Sequence, residues 1–225
     1  MANYRPNFNP NTVYHVTHHG NGKDNIFLSR DNYLYFLEKY KQYITPIATT
    51  YSYCLMPNHF HIGLKIRDLD TLKIAFATHA GLKKYADITY SPKQIEQLVA
   101  AINADEIHLL IARQFAHFLN AYAKSFNTMY ERRGSLFRES VYREAVREER
   151  YYKNLVRYIH NNPVKHGFCA RAEDWDYSSI HAYNSLKFSL LERNEVIDWF
   201  GSADAFWGFH ALGEDSSDLF SLLDV

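Results

Sequence analysis

Residues 59–66, His-Phe-His-Ile-Gly-Leu-Lys-Ile, constrain the fold more than any other stretch of this chain. Successive side chains of an extended strand point to opposite sides. Phe60, Ile62, Leu64 and Ile66 therefore make one face, a core face, while His59, His61, Gly63 and Lys65 make the other. Two imidazoles two residues apart on a strand point the same way, close enough to share one divalent cation. Gly63 beside them leaves room for something to approach. The same pair can equally be two polar groups on a half-exposed strand, and His-X-His alone does not decide between the two.

The neighbouring segments supply a sheet and its cover. Thr12–His19 (TVYHVTHH) is rich in β-branched and aromatic residues and forms a first strand, broken by Gly20-Asn21-Gly22. Ser29 or Asp31 caps a helix running to about Tyr43, with Leu34, Leu37, Tyr40 and Ile44 at helical spacing. Ile47–Leu55 is a second strand, joined through Met56-Pro57-Asn58 to the strand that begins at His59. Leu69 to about Ala86 is helical, and the weaker pattern over residues 87–106 suggests an inserted helical excursion. A long amphipathic helix carries Phe115, Phe118, Tyr122, Phe126 and Tyr130 along one side and closes at Arg132-Arg133-Gly134. Another runs from about Glu148 to Asn161 and stops at Pro163, since proline restrains the residue before it and cannot continue a helix. Strands in a row with helices interleaved unevenly give an α+β fold, a small antiparallel sheet covered by helices.

Charge separates the chain into unlike halves. The formal net charge is zero, yet Asn120–Arg171 holds eleven Lys and Arg against five Glu, and residues 190–225 hold eight acids against Arg193 alone. A basic stretch of that kind is either a phosphate-binding face or a solvated helix surface. The aromatic content of 16% serves cores and base stacking alike. No apolar run approaches the ~20 residues of a membrane span, and the first residues lack a signal-peptide layout, so the expectation is a cytoplasmic, nucleoid-associated protein with no membrane partner. The two cysteines, Cys54 and Cys169, fit free thiols in a reducing compartment.

The string Cys-Leu-Met-Pro-Asn-His-Phe-His at 54–61 resembles the His-hydrophobic-His signature of the HUH nuclease superfamily. The resemblance extends through Tyr14-His-Val-Thr, Gly20-Asn, Ile26-Phe, Arg133-Gly-Ser-Leu-Phe, Tyr158-Ile-His-Asn-Asn-Pro-Val-Lys-His-Gly, Trp175 and Ser178-Ser179, covering about Tyr14 to Tyr183. In that order these motifs are similar to one branch, the single-tyrosine transposases, including those associated with repetitive extragenic palindromes. The resemblance implies a ferredoxin-like (RRM-like) sheet carrying the histidines and a catalytic domain over residues 1–189, with 87–106 inserted and 190–225 an acidic extension. It implies Mg²⁺ or Mn²⁺ held by His59 and His61 and a tyrosine nucleophile on a nearby helix, which by position is Tyr158. Asn162, four residues on and so on the same side of a helix, is the expected third ligand; its amide oxygen suits a hard cation. His160 is the second choice and would point elsewhere.

The implied reaction is attack of Tyr158 on a phosphorus of single-stranded DNA beside a hairpin. It leaves a 5′-phosphotyrosine and a free 3′-hydroxyl, and a DNA 3′-hydroxyl can reverse the step without ATP. A phenol with an ordinary pKa of about 10 is a poor nucleophile at neutral pH, which is why a cation is needed to polarise the phosphate. Arg132, Arg133, Arg138, Arg143 and Lys165 are candidates for backbone phosphates, and the family commonly works as homodimers. Three other readings stay open: a domesticated hairpin-processing nuclease with the same residues, a non-cutting module that binds single strands, and a zinc hydrolase. Two histidines with an amide suit a hard hydrated ion better than a closed zinc site.

Overall fold

The computed structural model describes residues 6–78, 91–138, 141–148 and 150–211. Four strands, β1 (Val13–His19), β2 (Ala48–Met56), β3 (His59–Ile66) and β4 (Tyr142–Val146), form one sheet in the order β2-β3-β1-β4. Every neighbouring pair is antiparallel. β1 leads through α1 (Arg30–Tyr43) to β2, and β3 leads through α2 (Leu69–Thr78), α3 (Pro92–Ala100) and α4 (Ile107–Met129) to β4. This is the expected ferredoxin-like α+β arrangement, followed by α5 (Arg150–Lys165), α6 (Arg193–Phe200) and α7 (Ala203–Ala211).

The sheet is buried on both faces. On one side the apolar face of β3 meets α1 and α4, where the Phe36 ring touches Phe60, Phe118 and Tyr122 at centroid distances of 5.0, 4.8 and 5.1 Å. α1 starts after Ser29; the Asn32 side-chain oxygen accepts from the N–H groups of Leu28 and Ser29 at 2.9 and 3.1 Å, satisfying donors that a helix start leaves open. On the other side α5 lies across β2 and β3, and Leu155, Val156 and Ile159 join Val196, Phe200 and Phe206 of α6 and α7 in a second core.

Three expectations meet their outcome here. Residues 91–106 of the inserted stretch are largely helical: Ser91 caps α3 with Pro92 at its first position, and a short 3₁₀ turn spans Ala104–Glu106. The start of that stretch and the end of the helix expected to reach Ala86 lie outside the described residues. The helix expected to stop before Pro163 instead runs through it to Lys165. Proline removes one N–H, but the next turn still closes through His166 N–H to Asn162 C=O at 3.0 Å, and Gly167 at φ +71° makes the actual stop. In the acidic extension, residues 193–211 are two helices that contribute to the second core, with the Tyr51 hydroxyl donating to Glu195 at 2.8 Å; residues 212–225 lie outside the described residues.

The room beside Gly63 is taken by the chain itself. A methyl group there would lie 2.7 Å from Ser52 Oγ, 3.3 Å from Ile159 Cδ1 and 3.5 Å from Leu155 Cδ2. Gly63→Ala should therefore lower stability by about 1–3 kcal/mol, measured by urea unfolding. Adding Ser52→Ala, which removes the nearest atom, should recover part of the loss; strict additivity of the two substitutions would contradict the contact.

Candidate active site

The register of β1 against β3 sets His19 opposite His59, Thr17 opposite His61 and His15 opposite Gly63, all on the face under α5. Four imidazoles thus share one patch of sheet. His19 stacks on His59 with centroids 4.7 Å apart and planes 13° from parallel. His15, with no side chain opposite it, stacks on His61 at 5.1 Å and sets its Nε2 2.9 Å from His61 Nδ1. His59 and His61 meet edge to face at 5.0 Å, and both are buried.

α5 brings its own groups onto this patch. Asn162, fully buried, places Oδ1 3.2 Å from His59 Nε2, while Nδ1 of His59 lies 2.8 Å from Asn58 Oδ1. One turn earlier Tyr158, 3% exposed, meets the rings of His15 and His61 edge-on, each at 5.6 Å. The Lys165 ammonium lies 5.3 Å from the centre of the Tyr158 ring, and the exposed His166 ring lies 5.3 Å from His59. Burial, then the neighbouring imidazoles of His15, His59, His19 and His166, hold the His61 pKa well below the ordinary histidine value, so its ring is neutral.

The donor set fits a hard divalent cation. Both ring nitrogens of His59 face amide oxygens, and in the tautomer with the proton on Nδ1 the Nε2 lone pair lies beside the Asn162 oxygen. Two such atoms 3.2 Å apart can be neighbouring ligands of one ion whose bonds are about 2.1 Å. The buried Asn162 Nδ2 has no hydrogen bond, which marks the amide as oriented by its oxygen. Among the described residues no three His, Cys, Asp or Glu side chains are grouped to hold a metal between them.

The structure brings His59, His61, Asn162 and Tyr158 together and takes His160 elsewhere. His160 Nε2 lies 2.8 Å from Ser179 Oγ and its Nδ1 3.0 Å from His210 Nε2, on the side of α5 that faces α7. The basic candidates divide. Arg132 pairs with Asp24 and donates to the Ser135 carbonyl at 2.9 Å, bracing a loop. Arg143 donates to the Pro6 carbonyl at 2.6 Å and lies over the Phe8 ring. Arg133 is exposed beside a groove of about 460 Å³ lined by Lys124, Asn127, Thr128 and Glu131. Arg138 is exposed, and its backbone N–H donates to the His19 carbonyl at 3.1 Å, at the same end of the sheet as His59. Sequence reasoning missed His15, His19 and His166. The alternation of TVYHVTHH, applied as it was to 59–66, puts the first two on one face; the third needs the position of α5.

A protein of Haemophilus influenzae, provisionally named a REP-associated tyrosine transposase, is 23% identical over 211 residues, 91% of this chain and 96% of that one. The chain is thus similar, over nearly its whole length, to a protein of that name. An Escherichia coli K12 member is 29% identical over 72 residues, 32% of this chain and 40% of its own. A solved structure of a REP-associated tyrosine transposase bound to a REP hairpin aligns with a TM-score of 0.49 at 14% identity, covering 84% of this chain and 90% of that one. No family model matches. Among the described residues no helix is long and apolar enough to cross a membrane.

The His160–His210 pair makes stability sensitive to acid. Burial, and then the neighbouring His210, depress His160 well below the ordinary value; burial likewise brings His210 from 6.5 to about 4, against the opposing pull of the Phe206 carbonyl. The unfolded chain takes up protons that the native ring refuses as pH falls below 6.5, so stability is lost from there down to about 4. His210 contributes about 3 kcal/mol of that loss at pH 4. Urea unfolding from pH 7.5 to 4 should show the decline, and His210→Gln should make it shallower.

Proposed function

We propose that this chain cuts and rejoins single-stranded DNA beside a hairpin, with Tyr158 as nucleophile and His59, His61 and Asn162 as ligands of Mg²⁺ or Mn²⁺. One observation carries the reading: Tyr158 and Asn162, one turn apart on α5, meet His61 and His59 on β3 within a single chain. The whole-length likeness to a tyrosine transposase supports the reaction class. A cation bound there would polarise the scissile phosphate and offset charge on its oxygens.

The protein's own groups do the rest. Tyr158 Oη forms a bond to phosphorus as the P–O3′ bond breaks; the phenolic proton passes to solvent, and the departing 3′-oxygen takes one up. The resulting 5′-phosphotyrosine keeps a phosphodiester's worth of bonding, so a second 3′-hydroxyl can displace the tyrosine and seal a strand. Lys165, whose ammonium stands over the Tyr158 ring, is placed to meet the phosphate. DNA enters where Asn58, Arg138, Lys165 and His166 are exposed, and reaching the buried phenol requires α5 to part from β3 at that end. With tyrosine and histidines in one chain, each protomer of a homodimer has a complete site. The burial of Tyr158 also suits a module that binds single strands without cutting, which forms no covalent product.

Incubating the protein with Mn²⁺ or Mg²⁺ and end-labelled, hairpin-bearing single strands should give an adduct that survives denaturation. The adduct should vanish in Tyr158→Phe and on chelation. Binding without an adduct on any strand would favour the non-cutting module, and an adduct persisting in Tyr158→Phe would move the nucleophile elsewhere. For affinity, Arg133→Ala should reduce the slope of log K against log salt by about 0.7, one single-strand phosphate contact, with the melting temperature unchanged. Arg132→Ala should instead lower the melting temperature, because it releases the Asp24 loop.

A further inference from the structure

The turn that ends α5 leaves an aromatic ring in the open beside the site. Gly167 N–H donates to the Val164 carbonyl at 3.0 Å and Phe168 N–H to the Pro163 carbonyl at 2.9 Å, the bond pair of a helix stopped by glycine. That pattern commonly folds the residue after the glycine back onto the last turn, in an apolar contact that hides it. Phe168 nevertheless stays 49% exposed. Its ring meets Trp175, with centroids 5.6 Å apart and planes at 58°. The Trp175 indole is fixed in turn: its Nε1–H donates to the Leu55 carbonyl at 3.0 Å, and its ring meets Tyr177 at 5.9 Å. Tyr177 stacks on the buried Tyr33 at 3.5 Å, 2° from parallel. Four rings therefore run from the core to the surface, and Phe168 is the most exposed of them.

This ladder stands at the end of the sheet that carries His59. Leu55, to which Trp175 is bonded, precedes Met56, the partner of His59 across β2 and β3. Phe168 follows His166 by two residues, so their Cα atoms are within about 7 Å, and the His166 ring lies 5.3 Å from His59. Charge divides the surroundings. Toward Tyr158 and His59 stand Lys165 and His166. Around Trp175 stand the exposed Glu173, Asp174 and Asp176, with Asp174 paired to Arg171 at 2.7 Å. A DNA backbone is drawn to the first side, and a neutral base is the part of a nucleotide that the second side accepts. We infer that Phe168 is a stacking platform for an unpaired base next to the scissile phosphate. The inference rests on the single-strand reading of the site given above, to which it adds a base subsite.

Every base has a flat π face, so a ring held in the open binds a single strand without reading its sequence, and loss of one such ring weakens binding about 5–150-fold. In a duplex those faces are covered by neighbouring pairs, so the platform selects a nucleotide outside the hairpin stem. The ring is in place before DNA arrives: two backbone bonds set the turn and Trp175 backs the side chain, so little freedom is lost on binding. Leucine at 168 would keep the apolar contact with Trp175 but offer no π face. That substitution separates support of the α5 turn from stacking on a base.

The test uses the full chain and hairpin-bearing single strands in which 2-aminopurine, whose fluorescence is quenched by stacking, is stepped through each unpaired position. Wild type should quench it at one position or two neighbouring ones, and Phe168→Leu should abolish that quenching. Affinity for the unmodified strand should fall about 5–150-fold in Phe168→Leu and recover in Phe168→Tyr, with both melting temperatures close to that of wild type. An abasic nucleotide at the quenched position should weaken wild type and leave Phe168→Leu unaffected, since the two changes remove the same contact. Irradiation of 5-iodouracil at that position should cross-link it to Phe168, mapped by peptide mass spectrometry, a readout that needs no variant to fold. Cross-links that fall elsewhere, or a Phe168→Leu that binds and quenches as wild type does, would overturn the inference even if the Tyr158 adduct forms. Quenching and cross-linking at Phe168 with no adduct at Tyr158 would instead sink the cutting reaction and leave the platform standing.

Discussion

The pairing of β1 with β3 is the contact on which the rest of this structure depends. Its register decides which side chains of the two central strands share a face, and a one-residue slip of β1 would turn His15 and His19 into the α1–α4 core and Tyr14, Val16 and His18 toward α5. As built, one face of the pair is apolar but for the buried His18, which stacks on Phe137, and the other carries His15, His19, His59 and His61. The strong apolar face holds the register in place. The polar face inherits its geometry without having to stabilise it, which lets buried histidines persist where hydrophobic residues would pack more favourably.

The second dependence is on an absent side chain. Gly63 does two things at once, one on each side of it. Its bare Cα lets Leu155 and Ile159 of α5 close on the sheet, and it leaves His15 with no side chain opposite it in the strand pair. Because α5 is seated by those two leucine-sized contacts, its next turn presents Tyr158 and Asn162 to the histidines. The chemistry-bearing residues of the helix are thus placed by apolar neighbours at the spacing of one helical turn, a rigid support for groups that have to converge within a few tenths of an ångström.

Much of this was legible from the residues alone, for identifiable reasons. The alternation at 59–66 named both the core face and the histidine pair, because a strand with one buried face leaves no other register. The same rule applied to 13–19 would have named His15 and His19; what hid them is that Val13 shares their face and His18 falls on the other, which blurs the alternation. The end of α5 was misjudged because Pro163 is an obvious breaker, whereas the glycine that stops the helix, Gly167, sits a turn later. Residues 193–211 gave little warning of their packing. Their helices are short, and the charges among them suggested solvent, while Val196, Phe200 and Phe206, with Ile197, Trp199, Trp207 and Phe209 packed beside them, carry them into the second core. The roles of Arg132 and Arg143 depend on distant partners, Asp24 and Pro6, that no local pattern discloses.

The seating of α7 against α5 bears on how this protein can be trimmed or can evolve. His160, two positions from Tyr158, is tied to His210, and Arg157 lies over the Phe209 ring at 4.4 Å, so the final described helix grips the tyrosine-bearing one on its outer side. A boundary drawn near residue 190, natural on charge alone, would strip that grip away and leave the apolar back of α5 facing water. Residues 193–211 and α5 are for that reason a single inheritable unit: a chain that lost the one would have to rebuild the back of the other.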